Sequence, residues 1–211
     1  NSIEEFSEKQ FQDAIRRKDE AGVRKMLELY IPEPRKLLEL AVRAFDPVLY
    51  DADYESMKVN GTFPSISPTV IKLLHEKGAT LDFHDKDGTV CNLEMALTRR
   101  LDDVVKYLLE KKASNPYRKE NGFRPLHYAA WSAQSLCVDY LLEHSRGPNG
   151  KSTLIGDLDA EGRSALHLCT QVYFRQERSN KGRDLDTKKY IHNLRAECIS
   201  EIIKHGGELN A

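Results

Sequence analysis

The chain has 211 residues, 31% of them charged, with 32 basic and 33 acidic side chains and a net charge of −1. This balance excludes the bulk attraction to nucleic acid or to an anionic membrane surface that a strongly basic chain shows. No apolar run approaches the ~20 residues that span a bilayer, and the polar, acidic start (NSIEEFSEKQ) lacks the pattern of a signal peptide.

The first predicted helix begins with residues 7–10 (SEKQ), which form a capping-box pattern. Phe11, Ala14 and Ile15 follow at helical spacing and supply an apolar face. Further along the same stretch, FQDAIRRKDEAGVRKML, Met26 follows Phe11 by fifteen residues and is expected to be the equivalent core residue of the second helix. The N-terminal stretch therefore predicts two short amphipathic helices.

The interval from Phe11 to Met26 returns in the middle of the chain. It separates Leu93 from Leu108 and, again unchanged, Leu126 from Leu141. The second of these leucine pairs repeats the first at a period of about 33 residues, within the range of solenoid repeats. One helix pair of this length cannot bury its own apolar face. The period therefore predicts a stack of similar units, each packed on its neighbours.

The clearest copy is NGFRPLHYAAWSAQSLCVDYLLE, residues 121–143. Asn121 and Gly122 form a turn signal, and Pro125 suits the first turn of a helix, where its missing N–H costs nothing. Its RPLHYAA resembles the T-P-L-H-x-A-A signature of ankyrin repeats, and GRSALHLC around Leu166 restates it. The resemblance implies an all-α solenoid of about five stacked ankyrin repeats, each a helix–turn–helix pair, with short β-hairpin-like loops.

The register divides a single ankyrin repeat domain, residues 1–211, into repeats at roughly 7–31, 34–82, 85–117, 119–146 and 159–211. Extra length predicts insertions at about 45–66, 147–157 and 174–193, with the long ones in repeats two and five. The short first repeat indicates an N-terminal capping repeat or one cut at the start of the chain. Because the chain ends where a further hairpin would begin, we expect a fragment of a longer protein.

The two long insertions differ in chemistry. The first carries Tyr50, Tyr54 and Phe63 among acidic residues, so we expect a loop that covers the solenoid, contacts a partner or stays mobile. The second is basic, with Arg175 and Arg178, and predicts a solvated loop or a contact for an acidic partner. Nucleic-acid binding is not expected, since no groove-reading motif accompanies it.

Catalytic and metal-binding patterns are not evident in the sequence. The acidic residues of the first insertion do not fit an EF-hand loop, and His192, Cys198 and His205 lack zinc-ligand spacing. The family resemblance implies that His127 and His167 join hydrogen bonds between a first helix and the adjoining turn. We therefore expect no enzyme activity, no metal and no cofactor.

Four cysteines replace small or apolar residues of the repeat register, at Cys91, Cys137, Cys169 and Cys198. This placement predicts buried free thiols rather than a disulfide framework. Free thiols persist in a reducing compartment. We therefore expect an intracellular protein, in the cytoplasm, with the nucleus left open.

The resemblance also implies where a partner binds. Ankyrin repeats usually bind on the concave face, built from the hairpin tips and the exposed side of each first helix. Carried over position by position, this face presents Lys86, Asp87, Thr98, Arg99, Glu120, Asn121, Phe123, Trp131, Ser132, Glu161, Arg163 and Gln171. An exposed tryptophan with Phe123 near it has the composition of an interface hot spot. Packing against the second insertion or a neighbouring helix is the alternative for Trp131.

The function predicted from these features is protein–protein recognition or scaffolding, through the concave face and possible contacts of the inserted loops. The partner is another protein or a segment of the same full-length protein, without membrane insertion. Two other classes stay open. One is a ligand- or nucleotide-regulated sensor, with a site at Lys86, Arg99 and Arg163; the other is a module that holds a neighbouring domain shut.

Overall fold

The computed structural model describes residues 6–29, 31, 33–45, 64–83, 90–119, 122–170 and 185–207. These residues are mainly helical and fall into two compact units, the first ending at Ser114 and the second beginning at Asn115. The described ranges contain no β-strand; isolated antiparallel bridges join Arg146 to Ser152 and Leu158 to Ser164.

The first unit is built from short helices arranged in packed pairs. They are α1 (Glu8–Arg16), α2 (Glu20–Met26), a 3₁₀ turn (Pro34–Lys36), α3 (Leu37–Arg43), α4 (Pro68–Glu76), α5 (Asn92–Thr98) and α6 (Asp102–Glu110). Helix α1 packs against α2 and α3, α3 also packs against α4 and α5, and α6 packs against both α4 and α5. The connections place each apolar face against a neighbouring helix.

Local signals explain where the first two helices begin. The Ser7 hydroxyl accepts a hydrogen bond from the Gln10 N–H at 3.4 Å, which confirms the predicted cap of α1. The Asp19 carboxylate accepts the Gly22 N–H at 2.8 Å and caps α2. Lys18, between the two helices, has a φ of 57°, the left-handed conformation that ends one helix and redirects the chain.

The core of the first unit follows the predicted register. Phe11, Leu38, Leu74, Leu93 and Leu108 are all 0% exposed. The fifteen-residue interval therefore identifies buried positions, Leu93 and Leu108, on both helices of the last pair of this unit, α5 and α6. Each such side chain contributes roughly 1.5–3 kcal/mol through burial of apolar surface.

The first helix pair departs from that register at its second helix. Met26 is only half-buried, whereas Val23 and Leu27 are 1% and 3% exposed. The expectation that Met26 is the equivalent core residue is therefore wrong. Because Val23 and Leu27 lie one turn apart, they form the buried stripe of α2 and its following turn, and Met26 lies beside that stripe.

The second unit contains α7 (Pro125–Trp131), α8 (Ser135–His144), the helical residues 165–170 (α9) and α10 (Leu185–Lys204). Helix α8 packs against both α7 and α10. Leu126 and Leu141 are 1% and 0% exposed, as the register predicts. Leu166 is half-buried instead, and Leu168 is the buried leucine of α9.

Helix α10 is longer than the sequence pattern suggested. The predicted loop through residue 193 is wrong for residues 185–193, which are helical and continuous with the expected second helix of repeat five. Leu194, Cys198 and Ile202 recur once per helical turn; Cys198 and Ile202 are buried, and Leu194 is half-buried. Arg195 is also buried, and its Nη1 donates to the Cys169 carbonyl at 3.1 Å.

The predicted insertion at residues 147–157 is a compact turn. The hydroxyls of Ser145 and Ser152 share a hydrogen bond of 2.5 Å, and the Thr153 N–H donates to the Ser145 carbonyl at 3.1 Å. Leu154 is 1% exposed and anchors the turn in the core. The extra residues therefore fold against their own repeat. Most of the insertion predicted at residues 45–66 lies outside the described residues.

Candidate partner-binding surface

The backbone before α7 sets the position of the candidate surface. Gly122 has a φ of 84°, which an L side chain rarely adopts. A Cβ atom at this position would lie 2.4 Å from the Ala160 Cβ, so the next turn also leaves no room for a side chain. Pro125 is the first residue of α7, as predicted. Glycine here allows the two turns of the second unit to lie together.

Three aromatic side chains gather on this frame, and we call them the aromatic cluster: Phe123, Tyr128 and Trp131. The Phe123 ring centroid lies 5.3 Å from that of Tyr128 and 6.3 Å from that of Trp131, both at tilted angles. All three residues are half-buried. The cluster therefore combines a packed, ordered arrangement with aromatic surface that still faces solvent.

Arg163 extends the cluster from the following turn. Its guanidinium carbon lies 5.9 Å from the Phe123 ring centroid, within reach of a cation–π contact. The same guanidinium pairs with Asp159 through Nε at 2.7 Å and with Glu161 through Nη1 at 2.6 Å. Arg163 is thus held by two carboxylates while it lies against the ring.

Asp159 organises this turn, although it was not among the predicted site residues. Its Oδ1 accepts the backbone N–H groups of both Glu161 and Arg163 at 2.9 Å. Burial alone would raise the pKa of the Asp159 carboxyl, but these hydrogen bonds and the Arg163 guanidinium lower it below its usual value. The signal in the sequence was the D-x-E-x-R spacing of residues 159–163, which suits an aspartate-centred turn.

His127 joins α7 to the same turn. Its Nδ1 accepts the Arg124 N–H at 3.0 Å, so Nε2 carries the proton and donates to the Asp157 carbonyl at 3.1 Å. The predicted bonds from the first helix to the adjoining turn are confirmed. Burial lowers the pKa of His127, with partial opposition from the bond to Asp157.

His167 has a looser version of this arrangement. Its Nδ1 accepts the Ser164 N–H at 3.3 Å and lies 2.8 Å from the Ser164 hydroxyl. The residue is exposed, in contrast to His127. Both motif histidines therefore bind the backbone before their own helix.

The second unit brings part of the predicted face together. Phe123, Trp131, Glu161 and Arg163 lie in or beside the aromatic cluster. Ser132 directly follows α7, and its hydroxyl donates to the Tyr128 carbonyl at 2.6 Å. Tyr128 itself was missed, although it precedes Trp131 by less than one helical turn, which places both on one side of the helix. Helical spacing around Trp131 could have identified it.

Thr98 and Arg99 lie in the first unit and are engaged within it. Arg99 Nε donates to the Phe45 carbonyl at 2.9 Å, and Nη1 donates to the Met95 carbonyl at 3.2 Å. The Thr98 hydroxyl donates to the Glu94 carbonyl at 2.9 Å. The structure therefore gives both side chains intramolecular bonds, and Arg99 satisfies a carbonyl just beyond α3.

The other predicted contact residues lie outside the described residues. These are Lys86, Asp87, Glu120, Asn121 and Gln171 of the concave face, and Tyr50, Tyr54, Phe63, Arg175 and Arg178 of the inserted loops.

One group of side chains in the second unit has metal-ligand types. Asp139 and Glu143 of α8 lie near His205, whose Nε2 is 2.9 Å from Asp139 and 3.8 Å from Glu143. Arg146 Nη2 lies 3.5 Å from His205 Nδ1, and Lys204 pairs with Asp139 at 3.4 Å. Because arginine can only donate, His205 carries its proton on Nε2, toward Asp139. This is an ion-pair network that closes α8 on the end of α10.

Within the described ranges, no helix is both long enough and apolar enough to cross a bilayer.

Stacked short helix pairs, with a histidine bond at the start of α7 and left-handed turns between helices, define a helical repeat protein of the solenoid class. The family model "Ankyrin repeats (3 copies)" matches residues 65–153 and 103–176, together more than half of the chain. The chain belongs to the ankyrin repeat family.

Similar proteins were found by sequence and by structure. The chain is 34% identical over 113 residues to human "SH3 and multiple ankyrin repeat domains protein 2", a match that covers 52% of this chain and 6% of that protein. The crystal structure of the ankyrin repeat domain of Bcl-3, described as a unique member of the IkappaB protein family, aligns with a TM-score of 0.42 and 14% identity. That alignment covers 94% of this chain and 86% of the other. The chain thus spans a small fraction of the length of its human relative.

Proposed function

We propose that this chain is a protein-recognition module that binds its partner through the aromatic cluster and the Arg163 turn beside it. Ankyrin repeats are in general protein–protein interaction modules rather than enzymes, and the family is established for this chain. The observation that carries the proposal is the half-buried Trp131, which packs with Phe123 and still presents part of its surface.

The physical argument concerns preorganisation. Binding costs less free energy when the contact residues are already ordered in the free protein. Phe123 is held between Tyr128, Trp131 and Arg163, and Arg163 is in turn fixed by Asp159. Tryptophan, tyrosine and arginine are the residue types enriched at binding hot spots. The cluster therefore offers rigid aromatic area that needs little rearrangement on binding.

A nucleotide or other anionic ligand fits these residues less well. Two of the three cations that would form such a site, Arg99 and Arg163, donate to groups of their own unit. An anion would have to displace the two carboxylates that already hold Arg163. We therefore prefer protein recognition to a nucleotide-regulated sensor.

We also propose an intracellular location. Cys91, Cys137, Cys169 and Cys198 are all buried free thiols. Buried unpaired cysteines suit a reducing compartment, in which disulfides are rare.

A quantitative capture experiment tests the proposed surface. The wild-type chain, Trp131→Ala, Trp131→Phe and the matched control Leu136→Ala are immobilised, and bound proteins from cell extract are quantified by mass spectrometry. Leu136 is a suitable control because it is an apolar residue of the same unit and is 56% exposed. Circular dichroism establishes first that each variant is folded.

We expect Trp131→Ala to weaken capture of a specific partner by about 30-fold or more, corresponding to a hot spot of ~2 kcal/mol. Trp131→Phe should lose less, because it retains a ring, and Leu136→Ala should bind like the wild type. Equal capture by all four proteins would place recognition elsewhere on the chain and contradict the proposal.

A further inference from the structure

The charges around the aromatic cluster indicate which type of side chain a partner would present to it. Two carboxylates, Asp159 and Glu161, pair with the single guanidinium of Arg163. The Asp159 side chain is 0% exposed, whereas the Glu161 side chain is 69% exposed. The charge of Arg163 is therefore balanced by two carboxylates of its own turn. Of the three side chains, Glu161 is the one most exposed to solvent.

Two further cations of these turns are directed at other groups. Arg124 Nε pairs with the Asp157 carboxylate at 2.7 Å. Lys119 Nζ donates to the Leu158 carbonyl at 3.2 Å. In the described turns these two cations are therefore engaged with other groups. The trio of Arg163, Asp159 and Glu161 combines two carboxylates with one guanidinium, and so has a net negative charge at the rim of the cluster.

The aromatic rings, like the acidic rim, favour contact with a cation. The face of an aromatic ring carries negative electrostatic potential and attracts cations within about 6 Å of its centroid. Arg163 already demonstrates this contact on Phe123, at 5.9 Å. Tyr128 and Trp131 belong to the same cluster and are half-buried, so their accessible ring surface has the same chemistry.

From these contacts we propose that the aromatic cluster recognises a partner segment that presents a lysine or arginine side chain to it, with Glu161 as the acidic specificity residue. The inference rests on the proposed function and adds the chemical class of the partner. An acidic segment would be repelled by the Glu161 carboxylate. It could not form an ion pair with Arg163 without displacing Asp159 or Glu161, which already bind its guanidinium. A basic side chain gains both the ring contact and the carboxylate.

A peptide library provides the test. The full 211-residue chain is incubated with bead-bound degenerate nonapeptides, acetylated and amidated at their ends, in sublibraries with one fixed position. Retention is compared between sublibraries fixed as Arg or Lys and those fixed as Asp or Glu. The variants are Trp131→Ala, Glu161→Gln and the matched control Glu110→Gln, which removes an exposed carboxylate from α6.

We expect the Arg and Lys sublibraries to be retained best, in a manner that depends on Trp131. Glu161→Gln should reduce that preference by about two- to fivefold, the range of an exposed charge pair. Glu110→Gln, with the same change in net charge, should leave the preference unchanged.

Two other results overturn the inference. Trp131-dependent retention without a basic preference, or with an acidic one, would overturn it while the proposed binding surface stands. Retention that does not depend on Trp131 in any sublibrary would also overturn it. The capture experiment with whole proteins then decides separately whether the surface binds a partner.

Discussion

Helices α5 and α7 occupy the same place in the repeat register. They share a buried face and a turn but differ in the contacts of their exposed residues. Leu93 and Leu126, which are one repeat period apart in sequence, are 0% and 1% exposed. Both helices end in a turn with a left-handed residue, Arg100 at a φ of 56° and Ala133 at 53°. The core and the turn are therefore equivalent in the two units.

The starts of the two helices reach the same bond with different side chains. In α7 the ring of His127 accepts the N–H of Arg124, and in α5 the Glu94 carboxylate accepts the N–H of Cys91 at 3.3 Å. The backbone donor before a helix needs a partner, and either side chain supplies it. The departure from the family motif in α5 therefore preserves the function of the motif residue.

Asn92 takes the place of the motif proline in α5. Its side-chain amide donates to the Ala113 carbonyl at 3.2 Å and also to the carbonyl of Leu81. A proline cannot make these bonds. Asn92 thus ties α5 to two turns of its own unit.

The C-terminal ends of α5 and α7 differ most. Arg99, at the position of Ser132, turns to the Phe45 carbonyl, while Trp131, at the position of Thr98, joins an aromatic cluster. This contrast between Arg99 and Trp131 indicates that the repeat register determines only the buried side of a first helix. The chemistry of its exposed end depends on what neighbouring segments offer.

The largest expected effect concerns the shared core. We expect Leu93→Ala and Leu126→Ala each to lower the free energy of unfolding by about 3 kcal/mol, because both leave a cavity at a fully buried site. Urea unfolding followed by circular dichroism measures the loss, and hydrogen exchange locates it. Leu136→Ala should stay within about 0.5 kcal/mol of the wild type. A loss below about 1 kcal/mol for either core variant would break the equivalence of the two helices.

A smaller effect is expected at the start of α7. His127→Gln should lower the free energy of unfolding by about 1–3 kcal/mol, because the amide lacks the span of the imidazole ring and cannot serve both the Arg124 N–H and the Asp157 carbonyl. Urea unfolding at neutral pH measures the difference. Glu94→Gln in α5 is the matched variant, and it should cost less since an amide oxygen can still accept the Cys91 N–H.

The same histidine predicts a dependence on pH. Because burial lowers the pKa of His127 below its usual value of 6.5, the folded state favours the neutral ring. Its contribution is complete above pH 6.5 and is lost as the pH falls through the lowered pKa. Unfolding measured between about pH 8 and pH 5 should show this loss in the wild type and less of it in His127→Gln. Parallel curves for the two proteins would contradict the assignment.

The smallest effects compare the exposed ends of the two helices. Arg99→Met removes a charged donor from a half-buried carbonyl and should cost about 1–2 kcal/mol of unfolding free energy. Ser132→Ala should cost less than about 0.5 kcal/mol, since its bond closes a helix end near solvent. Thermal unfolding measures both. If Arg99→Met melted like the wild type but lost capture of the partner, Arg99 would be a contact residue rather than a link to Phe45.

Part of the candidate surface was predictable from residue types and register. Phe123, Trp131, Glu161 and Arg163 were selected because each occupies a position that ankyrin repeats commonly expose. The sequence could not show that Arg163 is balanced by two carboxylates or that Asp159 orders the turn. Those contacts depend on turn geometry, which a short polar stretch does not specify by itself.

The second insertion illustrates a missed signal. Leu194, Cys198 and Ile202 already carry the spacing of a helix that continues upstream, but the basic residues before them suggested a loop. In the structure, α10 begins at Leu185. The polar residues before Leu194 therefore continue a helix that packs against α8.

By itself the sequence determined the helical repeat class, most of the buried leucines, the motif histidines and the reduced state expected of the cysteines. These features depend on the short helical period and on the spacing of about 33 residues between repeats, so they are local or repeated signals. Tertiary structure alone decided that Arg99 turns to Phe45 and that Arg163 lies on Phe123. Long side chains have many rotamers of similar energy, and only the carbonyls, carboxylates and rings that folding places nearby select one of them.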